Sequence, residues 1–386
     1  MIRAAESTEN IPSARRVRDV VKDLKYLDPD IAPLIQILQQ ANSASTSNSK
    51  FEWFEKDLPA RWDAVNGTTG TGTSVIVNNS EYFSVGDIVE VPRTHEKIRV
   101  RLIDTTTDTL TVVRAVGSTT VAALTAADDL LIIGNAYQEG SGAGSPKSHA
   151  ETNPYNYTQI TRTQMSVTGT EMESENYIGP DRPRLHMEGG IEHKLDLERT
   201  ALFGERNIST SSPETTDNPR RYTGGLYYWL GTASNVKDAS GILTEPEIEN
   251  WLQSVFQHTG SSQSRLLLAS PLVISVLDQL AAGRIVTTSG ESTYGIGVKQ
   301  WNTGHGTLNI VKDRLLESGV TDGYQGEALA LDLKKIRFRY MRNRNTKLRE
   351  DIQAPDVDGV LDEYLTEAGW EVANPLLHGR LKGVTA

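Results

Sequence analysis

Histidine is the side chain best suited to proton transfer near neutral pH. This chain has seven: His95, His149, His186, His193, His258, His305 and His378. No pair stands at HxH or HxxxH spacing. His186 and His193 are seven residues apart, two turns of a helix, with Glu188 and Glu192 nearby. Such a set could hold a divalent metal, but two solvated residues on an amphipathic helix is the stronger reading. His305 sits in Thr303-Gly304-His305-Gly306 and reads as an exposed turn residue rather than a general base. There are no cysteines, which excludes a disulfide framework, thiolate zinc sites, iron–sulfur clusters and a cysteine nucleophile. The chain has no GxSxG elbow, GxxxxGK[ST] loop or HExxH helix. Gly70-Thr71-Gly72 and Gly140-Ser141-Gly142-Ala143-Gly144 do not lead from a strand into a helix, as a phosphate-binding turn must, and read as flexible loops. The 50 acidic residues supply many carboxylate pairs, and spacing selects none of them. The residue types therefore point away from an enzyme, and no cofactor or metal is expected.

The formal net charge is −11, which argues against a whole-surface nucleic-acid binder. One stretch runs the other way. Lys334, Lys335, Arg337, Arg339, Arg342, Arg344, Lys347 and Arg349 fall within sixteen residues that contain no acid. Strand alternation puts Arg337 and Arg339 on the face opposite Phe338 and Tyr340, so stacking aromatics are not interleaved with the cations as in a single-strand binder. The open readings are a solvated face, nucleic-acid contact, or pairing with acids of the same or neighbouring subunits. The last suits specific self-association best. No stretch approaches the roughly 20 apolar residues that span a bilayer. The start, Met1-Ile2-Arg3-Ala4-Ala5-Glu6, lacks the pattern of a signal peptide, so a protein made and kept in a cytoplasm is expected.

The elements that must position these residues vary along the chain. A chain of 386 residues exceeds the roughly 250–300 of a single core, so two or three domains are expected. Residues 1–60 do not read as an independent domain. They hold the charged stretch Arg15-Arg16-Val17-Arg18-Asp19, a short helix over 30–38 with Ile31, Leu34, Ile35 and Leu38 on one face, a polar run over 42–49, and the aromatics Phe51, Trp53 and Phe54, with Trp62 just beyond. Such a segment cannot bury enough surface against itself, so its apolar groups must dock on the rest of the molecule or on another chain. Residues 73–137 give five short strands, at 75–77, 88–91, 98–102, 110–113 and 130–133, separated by turn residues; this is a small all-β module or a long β tongue. Residues 134–146 form its exit linker, and 156–167 alternate as a further strand. The strongest helix spans 182–206, roughly 35 Å long, with Met187, Ile191, Leu195 and Leu202 near one stripe and a costly Gly189-Gly190 pair inside.

Residues 208–221 read as a polar loop. Thr244-Glu245-Pro246-Glu247 opens another helix as a capping box, with Ile248, Trp251, Leu252, Val255 and Phe256 buried. Residues 266–269 read as a buried strand. Ser270-Pro271 starts a helix carrying Val273, Val276, Leu277 and Leu280, ended by Gly283. A hairpin over 298–311 and strands at 328–333, 336–340 and 362–372 complete the pattern. Strands and helices mix without βαβ repetition, so the fold class is α+β.

Several phrases then combine: Phe83-Ser84-Val85-Gly86-Asp87-Ile88-Val89 in the β-rich insertion, Asn156-Tyr157-Thr158-Gln159-Ile160 followed by Val167-Thr168-Gly169-Thr170, a long acidic helix ending Glu198-Arg199-Thr200-Ala201-Leu202-Phe203-Gly204, and Ala330-Leu331-Asp332 before the arginine-rich strand. From about residue 20 to the C-terminus the chain resembles the major capsid proteins of tailed double-stranded-DNA bacteriophages. The resemblance implies an HK97-like capsid fold, with an N-terminal arm (1–60), an extended β loop (61–168) carrying a small all-β insertion (about 73–137), a peripheral domain (169–244) on a spine helix (about 182–206), an axial domain (245–340), and a C-terminal return (341–386).

The resemblance also implies a structural role: self-assembly into hexamers and pentamers of an icosahedral phage head enclosing DNA, put together in the host bacterial cytoplasm and retained in the virion. Portal and scaffold or decoration proteins would be its partners, contact with packaged DNA would be weak and non-specific, and no membrane is involved. Residues expected at subunit interfaces are Leu34, Ile35, Leu38, Phe51, Trp53, Phe54 and Trp62 of the arm and tongue, and Arg337, Arg339, Arg342 and Arg344 of the basic strand. Alternatives are an encapsulin-like nanocompartment shell and an enzyme with an appended β-module.

Overall fold

The computed structural model describes residues 32–58, 60–142, 150–175, 180–209, 218–231, 235–258, 260, 262–280, 285–286, 292–293, 296–297, 299–317 and 323–385. Arg15-Arg16-Val17-Arg18-Asp19, Ile31, Gly283, and the parts of the exit linker, polar loop and hairpin at 143–149, 210–217 and 298 lie outside the described residues. The chain divides into two compact units, one formed by Met1–Trp53 with Pro154–Ala386, the other by Phe54–Asn153.

Helix α1 (Pro33–Ala41) and strands β1 (Ser43–Thr46) and β2 (Lys50–Glu52) come first. The second unit then holds β3 (Trp62–Ala64), β4 (Ser74–Ile76), β5 (Asp87–Val91), β6 (Glu96–Asp104), β7 (Thr109–Val113) and β8 (Asp129–Asn135). The chain returns through β9 (Tyr155–Tyr157) and β10 (Gln159–Thr168) to α2 (Gly169–Met172) and the long α3 (Asp181–Phe203). There follow β11 (Asn207–Ser209), β12 (Arg220–Tyr222), α4 (Leu226–Leu230), β13 (Val236–Ile242), α5 (Glu245–Phe256), β14 (Ser264–Ala269) and α6 (Pro271–Leu280). After the two-residue strands β15 (Ile285–Val286), β16 (Ser292–Thr293) and β17 (Ile296–Gly297) come β18 (Lys299–Asn302), β19 (Thr307–Lys312), β20 (Ala328–Leu331), β21 (Ile336–Met341), β22 (Lys347–Arg349), β23 (Gly359–Val372) and β24 (Gly379–Thr385). The mixture is α+β, as the pattern predicts.

In the second unit all five expected strands form, and a sixth, β3, joins them. The sheet runs β3-β8-β5-β6-β7-β4, and its ends meet: Val65 bridges Val77, and Asn66 N–H donates to Ile76 O at 2.8 Å. The insertion is therefore a closed antiparallel barrel, which removes free sheet edges. Alternation places Val89, Val91, Ile98, Val100, Leu110, Val112, Leu130 and Ile132 inside. A buried ion pair completes the interior. Glu96 accepts from Arg114 Nε at 2.8 Å and Nη2 at 2.6 Å, and from the Ala115 and Ala122 amides. Burial alone would raise the Glu96 carboxyl, but these donors hold it below its ordinary range.

The first unit carries two larger sheets. One runs β1-β21-β23-β10, with β22 also on β23; the other runs β13-β24-β20-β14-β19-β18-β15. β10 pairs along its whole length with β23, from Gln159–Ala368 to Thr168–Gly359, so it belongs to this sheet and not to the extended loop. The stretch 362–372 is a central strand rather than the last, since β24 follows it into the other sheet. β1 lies in the polar run over 42–49 and adds in parallel to β21 through backbone hydrogen bonds, which a Ser-Ala-Ser-Thr sequence supplies as well as any other. Helix α5 has the expected capping box at Thr244 and Glu247 and buries Ile248, Trp251, Leu252 and Val255; Phe256 is partly buried.

Helix α3 lies where expected, but its buried face differs. Gly189, His193, Leu197 and Ala201, four residues apart, face inward with Glu198 and Leu202. Met187 is half-exposed and Ile191 and Leu195 only partly buried. One of the costly glycines now has a reason: a side chain at Gly189 would strike the Met165 sulfur of β10, whereas at Gly190 a Cβ would make only ordinary contact with Tyr364 of β23.

Barrel closure and the pairing of Glu55 with Thr152 where the chain enters and leaves give a direct test. A fragment of residues 54–153 should fold alone, with a β-type circular dichroism spectrum and one cooperative melting transition. A random-coil spectrum would show that the barrel depends on the rest of the chain.

Candidate assembly surface

Strand β23 organises the larger unit because it carries acids on both faces. On one face, Asp362 meets α3. It accepts from Arg182 Nε at 2.7 Å and Nη2 at 2.9 Å, from the Asp351 amide at 2.9 Å, and lies 2.7 Å from His186 Nε2. Burial would raise this carboxyl, but the Arg182 and His186 donors outweigh it and hold it far below the ordinary range. Further along, His193 is fully buried between two hydroxyls, Thr163 Oγ1 at 2.9 Å from Nδ1 and Thr366 Oγ1 at 2.7 Å from Nε2. Burial lowers its pKa, so it is a neutral packing residue. His186 and His193 thus serve two separate contacts between helix and sheet and do not converge on a metal position.

On the other face of β23, Glu363, Glu367 and Glu371 recur every four residues, so alternation aligns them. All three are buried beneath arginines. Arg162 of β10 and Arg349 of β22 reach Glu363 at 2.6 and 3.2 Å. Arg344 reaches Glu367 at 2.7 Å, and Arg337 and Arg339 of β21 reach Glu371 at 3.7 and 2.5 Å. Leaving a buried carboxylate unpaired costs several kcal/mol, so the glutamates fix the arginines in place. The basic run finds its acids in its own chain, and its cations still outnumber them. Arg342 and Lys347 are exposed and have no ion pair among the described residues.

The expected arm, where described over 32–53, packs within the first unit. Leu34, Ile35 and Leu38 of α1, with Ile37, are buried against Leu197, Ala201 and Leu202 of α3 and Phe338 of β21. Phe51 and Trp53 are also buried, stacked on each other with centroids 6.2 Å apart, and Trp53 packs on Trp229 at 5.3 Å. Leu34, Ile35, Leu38, Phe51 and Trp53, expected at a subunit interface, are instead placed in the chain's own core. Burying the four aliphatic side chains of α1 contributes about 6–12 kcal/mol, against about 9–18 kcal/mol to order the backbone of this nine-residue helix. The two nearly cancel, so polar contacts at the helix start decide its docking.

Phe54 and Trp62 differ. They are 75% and 62% exposed, and Leu58 between them is 92% exposed. Trp62 of β3 stands directly opposite Leu131 of β8, and Leu131 and Ile133 are 43% and 50% exposed on the outer face of the barrel. Outward apolar residues on a barrel whose interior is already filled form a patch suited to a partner. An open cleft of about 550 Å³ beside the end of α3 is lined by Gln159, Arg199, Thr200, Phe203, Glu205 and Tyr222 among others. Among the described residues no group of three or more His, Asp or Glu could hold a metal ion.

Comparison with known proteins gives a family. A family model described as SU10 major capsid protein matches residues 5–385. The curated major capsid protein of Pseudomonas phage PaMx41 is 22% identical over 326 residues, covering 82% of this chain and 77% of that protein. A solved structure from Mycobacterium phage Bobi is similar at a TM-score of 0.49 with 8% identity, covering 97% of each chain. The holo-SrpI encapsulin complex of Synechococcus elongatus is similar at a TM-score of 0.42 with 13% identity, covering 60% of this chain and 76% of that one.

Asp362 predicts an acid-sensitive contact between helix and sheet. Its folded pKa is depressed, so its stabilisation is present above the ordinary carboxylate pKa of about 4 and is lost as pH falls below it. Asp362→Asn should cost about 1–3 kcal/mol at pH 7 and flatten the acid limb of the melting temperature between pH 5 and 3. Wild-type melting behaviour in the variant would contradict the assignment.

Proposed function

The chain belongs to the SU10 major capsid protein family, so its role is that of a structural capsid protein in a multimeric shell and it resides in the virion; we propose that copies of it close into hexamers and pentamers of an icosahedral phage head around double-stranded DNA. Assembly takes place in the host bacterial cytoplasm, with a portal and a scaffold or decoration protein as further partners. The capsid role carries no catalytic step.

The observation that best supports self-association is the exposed apolar set on the second unit: Phe54, Leu58, Trp62, Leu131 and Ile133. Its occupant is a second copy of the chain, because a shell subunit meets its own copies more often than any other surface. The arginine face adds a weaker contact. Above the buried glutamates, Arg162, Arg337, Arg339, Arg344, Lys347 and Arg349 present a net positive surface, and Arg342 lies nearby in the chain, in a molecule of net charge −11. Acidic surface of a neighbouring copy matches it by charge, and DNA contact stays weak because the subunit as a whole is negative. The family model and the phage relative favour the phage head over an encapsulin-like compartment.

A double variant, Phe54→Ser with Trp62→Ser, removes exposed apolar area without touching the barrel interior. Shell yield by negative-stain microscopy should fall by about tenfold or more, while the melting temperature stays within about 2–3 degrees of wild type, as for surface substitutions. Normal shells from this variant would refute the contact.

A further inference from the structure

The carboxyl of Glu198 on α3 is fully buried and aimed at the start of α1. Its Oε1 accepts Leu34 N–H at 2.9 Å and its Oε2 accepts Ile35 N–H at 2.7 Å. Ala32, at the N-cap position, makes no side-chain capping bond. Glu198 therefore does from another helix what a capping side chain does locally: it satisfies amides that the first turn leaves unpaired and lies at the positive end of the helix dipole.

A second buried carboxyl acts on it. Asp313 follows β19, and its charge bears on Glu198. Its Oδ1 accepts the Leu315 amide at 2.9 Å, and its Oδ2 is buried without a hydrogen-bond partner. The flanking residues, Leu197 and Ala201 on one side and Val311 and Leu315 on the other, belong to one apolar cluster.

Among the described residues, no cation of the surrounding elements is paired with either carboxyl. Helix α1 has no charged side chain. Lys312 is exposed, and Arg314 is exposed and reaches Glu317 at 3.5 Å. On α3, Lys194 is exposed and Arg199 reaches Asp196 at 3.2 Å. From α4 come only Tyr227 and Tyr228, and beyond Tyr227 the Arg380–Glu327 pair is closed on itself at 2.8 Å. On β14, Arg265 is turned to Asp332 at 3.4 Å.

We propose that docking of α1 is proton-coupled: closing α1 onto Glu198, beside the buried carboxyl of Asp313, takes up a proton, and opening it releases one, so that rising pH loosens the helix. Burial pushes both carboxyls up, Asp313 to about 6 and Glu198 well above its ordinary value; repulsion from Asp313 adds to the rise of Glu198, and the Ile35 and Leu34 amides, which favour its charged form, offset only part of it. Once α1 lifts, water reaches Glu198 and its carboxyl returns toward about 4. From about pH 4 upward through the closed-state value of Glu198, the closed form holds a proton that the open form has lost. Its stability therefore falls as pH rises across that window. The device lies within one chain, and failure of shell assembly would leave it untouched.

Hydrogen exchange of the full-length chain, read by mass spectrometry on peptides covering residues 34–41 and corrected for intrinsic exchange, tests this between pH 5 and 8.5. Protection of α1 should fall with rising pH, by up to about tenfold per unit for the one proton released, while α5 serves as a control without that slope. Asp313→Asn, which keeps the acceptor for the Leu315 amide and removes the repulsion on Glu198, should reduce the slope. A wild-type α1 profile parallel to that of α5 would overturn the proposal, as would an unchanged slope in a folded Asp313→Asn. Should that variant fail to fold, the wild-type series alone decides.

Discussion

The acids on both faces of β23 constrain the larger unit more than any other feature. A carboxylate taken out of water costs several kcal/mol unless donors surround it. Asp362 therefore requires Arg182 and His186, which fixes where α3 lies along the strand. Glu363, Glu367 and Glu371 require the arginines of β10, β21, β22 and the turn between the last two, which fixes the order of strands around them. Between these polar ties the contacts are small and close. Gly189 lets α3 approach Met165, and Gly369 lies where any side chain would meet the Tyr157 carbonyl and the Phe51 ring. A one-residue slip of β23 would exchange its faces, turning the glutamates toward the helix and Asp362 away from Arg182.

This arrangement separates what the chain uses for itself from what it leaves for others. The arm helix and the aromatics Phe51 and Trp53 complete the core of the first unit. The second unit also has a finished interior, a closed barrel with its own buried ion pair at Glu96 and Arg114. What remains is surface: an outward apolar patch around Trp62 and Leu131, and a guanidinium-lined sheet face in an otherwise acidic molecule. The described cores are filled from within the chain, which leaves these faces for a neighbour to cover. Helix α1 then acts as an internal strap, held by modest apolar burial and by Glu198.

Much of this was legible in the amino-acid order where period and chemistry agree. The barrel strands alternate cleanly, as in Glu96-Lys97-Ile98-Arg99-Val100-Arg101, and the Thr244–Glu247 capping box marks α5 to the residue. The failures are equally physical. The buried stripe of α3 contains Gly189, His193 and Glu198, so an apolar count picks Met187, Ile191 and Leu195 on the other side. β1 is Ser-Ala-Ser-Thr and β3 only three residues long, so neither announces itself by pattern. The basic run was visible, but its partners were not, because Glu363, Glu367 and Glu371 stand among Leu, Tyr, Ala and Trp and only a strand assignment puts them on one face. Glu198 was one acid among 50. Of the proposed interface residues, composition alone could not separate the buried Trp53 from the exposed Phe54 beside it.

A subunit whose described cores are filled from within is expected to associate through its exposed faces. Mass photometry of the purified full-length chain across a range of concentrations and salt tests it most directly. The account predicts a discrete high-mass species made of many copies, forming above a threshold concentration and imaged as closed particles of uniform diameter. A single 42.4 kDa species persisting at every concentration, with Trp62 quietly solvated, would contradict it.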